Sequence, residues 1–202
     1  GYIGKWHIDG TGRSAYIPPE RRQGFAYWKV LECTHNYNKS LYFDKNGKTP
    51  RAWEGYDAYA QTQDAVAYIK DRGTAPPETR KPFSLFLSWG PPHAPYRTGP
   101  TKWLNHYDSK KLTLRGNVPP QISKQAQSTY AGYYAHCSAL DECVGSLIAA
   151  LRGSGQLENT IVVYTSDHGD MLHSRGQLKK QRPWDESIRV PFLVRCPSRL
   201  KV

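Results

Sequence analysis

The chain has 202 residues, with 28 Lys and Arg against 17 Asp and Glu, a formal charge of +11. Such a length suits one domain able to bury a core, and no apolar run approaches the roughly 20 residues of a membrane span. The basic balance favours anionic partners, but the basic residues are scattered and the densest group, Lys179-Lys180-Gln181-Arg182, is short, so no nucleic-acid partner is expected.

Residues 1 to 8 read as a strand already under way at Gly1, running into Lys5-Trp6-His7 and then turn chemistry at Asp9-Gly10-Thr11-Gly12. There is no signal-peptide pattern, and with no initiating Met its absence carries no information about secretion. Tyr16 to Trp53 is rich in Pro, Gly, Asn and aromatics and predicts long loops. Short strands fall around Phe25–Leu31 and Leu41–Phe43, with a turn at Asp44–Gly47. Loops of that length often line a site, and Trp28 to Tyr37, with Trp28 and His35, is a candidate sugar-binding wall.

The spacing of Tyr59, Ala65, Val66 and Ile69 predicts a helix over 56–72, stopped by Gly73 and Pro76-Pro77. Pro82 to Trp89 is a compact apolar strand ending in Gly90-Pro-Pro-His93-Ala-Pro95, where His93 is held among prolines of restricted backbone. Residues 96–122 read as loop. Lys124 to Arg152 is the strongest helix, with Tyr133, Cys137, Leu140, Val144, Leu147, Ile148 and Leu151 at three- and four-residue steps. Thr160 to Thr165, β-branched and apolar, predicts a buried strand that stops at Ser166-Asp167-His168-Gly169-Asp170. A helical turn at Trp184–Ser187 and a last strand at Val190–Val194 follow. Cys33, Cys137, Cys143 and Cys196 form no Cys-x-x-Cys pair or zinc spacing; they read as buried small hydrophobes and leave the redox compartment undecided.

Alternating strands and helices predict the α/β class, a mainly parallel sheet flanked by helices. Ligands bind beyond the carboxyl ends of such strands. Three strands, ending near residues 5, 89 and 166, would bring Lys5, His7, His93, Asp167 and His168 to one edge. Lys179 or Lys180 would reach in from the following loop. Two cations, imidazoles and a hard carboxylate suit a tetrahedral oxyanion beside a divalent metal.

Gly4-Lys5-Trp6-His7, Pro92-His93-Ala94-Pro95, Ser166-Asp167-His168-Gly169-Asp170 and Lys180-Gln-Arg-Pro-Trp184-Asp-Glu-Ser-Ile-Arg-Val-Pro191 occur in this order. In these the chain resembles the type I sulfatases of the alkaline phosphatase superfamily, along its whole length. The resemblance implies that Lys5 and Lys180 bind sulfate oxygens and that His7 contacts the hydroxyl of a hydrated formylglycine nucleophile. It implies that His93 binds sulfate and helps protonate the leaving alcohol. Asp167 would ligate Ca²⁺ or Mg²⁺, with His168 at the metal, in a position that is Asn or His in the family. Lys180 is preferred to Lys179 because the family lysine precedes the aromatic of its Tyr/Trp-Glu/Asp pair by four residues.

The family's Cys/Ser-x-Pro-Ser-Arg nucleophile motif and its earlier pair of aspartates do not occur; Cys196-Pro-Ser-Arg199 lacks the intervening residue and follows the final strand. His173 and Arg175 stand where related sequences often have Gly and His. The expectation is therefore a partial sulfatase catalytic domain over 1–202, with a long loop insertion at about 10–55. Its parent would cleave sulfate esters, with a sulfated carbohydrate as substrate, formylglycine supplied from upstream and a periplasmic or secreted location. The chain alone would be inactive. Two alternatives stay open: a phosphodiesterase or phosphonate monoester hydrolase of the same superfamily, and a non-catalytic polyanion-binding module.

Overall fold

The computed structural model describes residues 1–76, 78–197 and 200. Its backbone forms two compact units, Gly1–Pro91 with Ala139–Ser154, and Pro92–Ser138 with Gly155–Val202. The class is α/β, with a mixed central sheet flanked by helices.

The first unit holds that sheet, in the order β4-β3-β2-β1-β5. Strand β1 (Tyr2–Lys5) pairs in parallel with β2 (Trp28–Leu31) and with β5 (Phe86–Ser88). Beyond β2 the sheet continues antiparallel through β3 (Leu41–Asp44) and β4 (Arg51–Ala52). Asp44 Oδ1 accepts from Asn46 N (2.8 Å), the side-chain turn that the Asp-Lys-Asn-Gly stretch predicts. Alternation along β1 sends Ile3 into a cluster with Tyr42, Trp53 and Ala65. On the other side Tyr2 packs against Trp6, Ile17, Trp28 and Val30. Gly4 has φ +106°, and a Cβ there would lie 2.1 Å from the Ser88 carbonyl oxygen, so only glycine lets β1 and β5 close at this register.

Helix α1 (Asp57–Thr74) runs two residues past its expected end at 72, with Gly73 inside it. It ends at Ala75, which is extended (ψ 138°) because the residue before Pro76 is excluded from the helical region. Arg80 then donates to the orphaned Gly73 carbonyl (2.7 Å).

In the second unit, α2 (Thr101–His106) is a short helix within a stretch read as loop; its first turn closes on the Pro100 carbonyl, which accepts from Trp103 N and Leu104 N. Helix α3 (Ser123–Gly153) begins here and passes into the first unit at Ala139. Its buried face is lined by alanines, Ala126, Ala131, Ala135, Ala139 and Ala150, with Leu140 and Leu151. The large-residue stripe located the helix but not its full buried face. Cys137 is exposed while Cys33, Cys143 and Cys196 are buried. Six residues of helix separate Cys137 from Cys143, so the two cannot share a face.

The 160–165 run departs most from expectation. Strand β6 (Val162–Thr165) pairs antiparallel with β7 (Phe192–Arg195) in a separate two-stranded sheet. It is not buried: Val163 is 51% and Phe192 69% exposed. A β-branched run fixes extended backbone but not its neighbour, and the backbone partner β6 finds among the described residues is β7. The carboxyl ends of β1 and β5 therefore share one hydrogen-bonded edge, and that of β6 belongs to the second unit. Helix α4 (Asp185–Ile188) matches the expected turn. Within Cys196–Arg199, Ser198 and Arg199 lie outside the described residues.

Candidate active site

The second unit gathers four of the expected site residues. His93 is 9% exposed in the proline-rich segment. Its Nδ1 donates to the Ala94 carbonyl (2.9 Å), which leaves Nε2 as acceptor for the Lys180 ammonium (2.7 Å). The His93 and His168 rings meet edge to face, centroids 5.9 Å apart. His168 Nδ1 donates to Gly169 O (2.7 Å), directing Nε2 to the Asp167 carboxylate, whose Oδ2 is 3.6 Å away.

The loop after β6 sets this arrangement. Asp170, 6% exposed, is its hub. Oδ1 accepts from the backbone N–H groups of Leu172 and Lys179 (both 3.0 Å), and Oδ2 from Tyr96 Oη (2.9 Å). One carboxylate thereby ties the two ends of the 170–179 loop together. Met171 N also donates to Lys179 O (2.8 Å). Lys180 stands between Lys179 (φ 65°) and Gln181 (φ 70°), left-handed conformations that non-glycine residues hold only where their surroundings impose them. At Gly169 a Cβ would lie 2.2 Å from Glu186 O, and Gly169 N donates to Ser187 O (2.8 Å), which seats the Asp-His-Gly turn on α4.

His173 and Arg175 serve this same loop. His173 is buried with φ 67°, its Nε2 2.9 Å from Thr129 Oγ1, and burial lowers its pKa. The Arg175 guanidinium lies over the Trp184 ring at 5.0 Å.

In the first unit, Lys5 ends β1 and lines a small cavity with Thr34, Ser40, Asp57, Gln61 and Gly90. Burial pushes the Asp57 carboxyl up to about 7, and Asp57 Oδ1 and Gln61 Oε1 are buried there without a hydrogen-bond partner. His7 follows on the surface with φ 57°. His35 takes a hydrogen bond from Arg13 Nη2 (2.9 Å). Trp28 does not form a sugar-binding wall: it is 1% exposed, packed with Trp6, Ile17 and Val30, with the Arg22 guanidinium 5.2 Å from its ring. Its indole is core because β2 is an interior strand and position 28 points into the aromatic layer.

No group of three or more metal-ligating side chains occurs among the described residues. Asp167 and His168 nonetheless fit part of a divalent site. The Asp167 side chain is 71% exposed, offering hard oxygens. His168 Nδ1 donates to Gly169 O and Nε2 lies 3.6 Å from Asp167 Oδ2, so the neutral ring and the carboxylate could serve one cation together.

Sequence reasoning quoted Asp170 within a motif but gave it no task, and missed Tyr96 and Arg13. An Asp directly after His-Gly is a visible signal for a loop-closing carboxylate; nothing in the sequence marks Arg13.

The sulfatase family model matches residues 1–202. An ulvan-active sulfatase of Formosa agariphila is 44% identical over 199 residues, 98% of this chain and 38% of that protein. An endo-4-O-sulfatase of Bacteroides thetaiotaomicron is 32% identical over 196 residues, 93% of this chain and 37% of that protein. A Bacteroides fragilis crystal structure carrying a sulfatase name superposes with a TM-score of 0.90 at 28% identity, covering 100% of this chain and 47% of that one. This chain thus spans less than half the length of each.

Proposed function

This chain belongs to the sulfatase family, and on that footing we infer that its parent protein hydrolyses sulfate esters of carbohydrates. The observation that carries this is the His93–Lys180 contact, two family sulfate-binding positions brought to 2.7 Å by a loop whose Lys179 and Gln181, on either side of Lys180, hold positive φ. The carbohydrate substrate is supported by the names of the two relatives and by the basic surface.

Nδ1 of His93 is committed to Ala94 O, so Nε2 is the ring atom that takes or gives a proton. An incoming sulfate oxygen takes over the Lys180 ammonium. Nε2 can then be protonated, the negative sulfate balancing imidazolium and ammonium together, and can pass that proton to the departing alcohol oxygen. Lys180 holds a sulfate oxygen and steadies the charge that grows there. Lys5 is assigned a second sulfate oxygen and His7 the hydroxyl of the nucleophile, on the family pattern.

Asp167 and His168 would hold the calcium or magnesium ion, which when bound supplies Lewis-acid polarisation of the ester. The nucleophile, formylglycine in the sulfatases this chain resembles, has no matching motif in these 202 residues. The 202 residues by themselves are expected to turn over no sulfate ester.

The test is Lys180→Ala in the full-length protein, assayed on an aryl sulfate, an aryl phosphodiester and an aryl phosphonate. Losing one positioned cation at a developing oxyanion costs about a hundredfold in kcat/KM. Sulfate turnover that falls by about this factor is the expected result. Unchanged sulfate turnover in the variant, or a wild-type preference for the phosphorus esters, would refute the assignment.

A further inference from the structure

The loops beyond β1 and β2 carry an arginine–histidine pair that none of the sulfate chemistry uses. These strands are parallel neighbours, Lys5 in register with Leu31, and Trp6 N extends the ladder to Leu31 O (3.0 Å). The chain after Lys5 therefore runs beside the chain after Leu31 on the same sheet edge. Asp9 N and Gly10 N donate to Glu32 Oε1 (3.0 and 3.1 Å), and Cys33 N donates to Arg13 O (2.8 Å), fixing the two segments together. Thr34 lines the same cavity as Lys5.

Onto this frame are set Arg13 and His35. Arg13 Nη2 is 2.9 Å from His35 Nδ1, 3.3 Å from His35 Nε2 and 3.6 Å from Cys33 Sγ. Arg13 is exposed, and among the described residues no carboxylate lies within ion-pair distance of it. Its neighbours differ. Arg21 is paired with Asp9 (2.9 Å), and Arg22 is buried, donating to Ile17 O and Tyr16 Oη. The Glu32 carboxylate faces backbone amides rather than Arg13. The guanidinium rests on an imidazole and a sulfur rather than on a carboxylate, so its forked donors can take an oxyanion, which they bind two at a time.

We propose that Arg13 and His35 form an anion subsite for a carboxylate or second sulfate on the sugar next to the one whose sulfate is cleaved. This rests on the sulfate-ester assignment above and names the substrate class more closely: a polyanionic oligosaccharide carrying charge on consecutive rings. The Arg13 fork holds the oxyanion and His35 supplies a further N–H. Their place on the sheet edge that carries Lys5, the lysine assigned to a sulfate oxygen on the family pattern, would set the second charge beside the group that Lys5 binds.

The experiment uses the full-length protein and three disaccharides sharing one sulfate ester. One has a uronic carboxylate on the neighbouring ring, one has that carboxylate reduced to the alcohol, and one carries a second sulfate instead. Kd by calorimetry and KM against kcat are measured for wild type, Arg13→Gln and Arg13→Lys. Arg13→Gln is expected to raise Kd and KM about tenfold to a hundredfold for one or both charged probes, the more affected probe identifying the group, with kcat and the reduced probe nearly unchanged. Arg13→Lys falls between, because an ammonium lacks the fork; it also serves should the Gln variant fail to fold. Equal losses on all three probes, or none, overturn the subsite. Arg13-dependent binding without turnover of any probe by wild type would leave the subsite standing and overturn the sulfatase assignment.

Discussion

Replacing Asp170 is the perturbation that most directly asks whether one carboxylate builds the site. In Asp170→Ala, Leu172 N, Lys179 N and Tyr96 Oη all lose their acceptor in a place that is only 6% exposed. Three orphaned donors at roughly 1 kcal/mol each come to about 3 kcal/mol, with water able to reach little of the gap. Asp170→Asn is the informative contrast. Its amide oxygen can keep both backbone donors while the Tyr96 hydroxyl rotates to accept from the NH₂, so only charge assistance is lost, about 1 kcal/mol. Denaturant unfolding of the full-length protein, followed by near-UV circular dichroism, would report both numbers. The Ala variant should also raise KM for an aryl sulfate more than the Asn variant does, because Lys179 N is the anchor beside Lys180. Equal stability of Asn and Ala, or an Ala variant within 0.5 kcal/mol of wild type by the usual scale of surface changes, would refute the loop-closing role.

Asp57 gives a pH prediction. Its folded pKa of about 7 lies above the ordinary value of 3.8, raised chiefly by burial. The folded state therefore holds this proton more tightly. The contribution is fully present below the unfolded pKa of 3.8 and is lost as pH rises through about 7. Asp57→Asn should shrink the stability difference between pH 5 and pH 8, by denaturant titration at the two values; an unchanged difference counts against it. Trp28→Ala should cost about 3–5 kcal/mol of stability and leave KM for a sulfated disaccharide unaltered in whatever folded protein remains. A raised KM with stability intact would return Trp28 to the substrate.

Much of the fold was legible because each local signal had one local outcome. Tyr2–Lys5 and Trp28–Leu31 are strands within the segments the sequence marks as strand, and Ala75 before Pro76 ends α1. The motif residues His93, Asp167, His168 and Lys180 stood out as ionisable groups at element ends, where chain direction changes and backbone polar groups are open to ligands. Arg13 escaped because it sits among exposed polar residues of a loop, and a sequence does not say which loop arginines already have carboxylates. Trp28 misled for the converse reason: an indole in an aromatic segment looks the same whether its ring meets sugar or Ile17.

By itself the sequence determined the α/β class, the positions of the longer helices and most strands, the motifs that place the chain in its family, and a basic surface suited to anions. Backbone propensity and side-chain chemistry are properties of neighbouring residues, and these follow from them. The tertiary structure alone decided that β6 pairs with β7, that Asp170 closes the loop carrying Lys180, that His93 Nε2 is the nitrogen facing that lysine, and that Arg13 rests on His35. Each of these joins residues distant in the chain, and such contacts depend on which faces survive the competition for burial and hydrogen bonds.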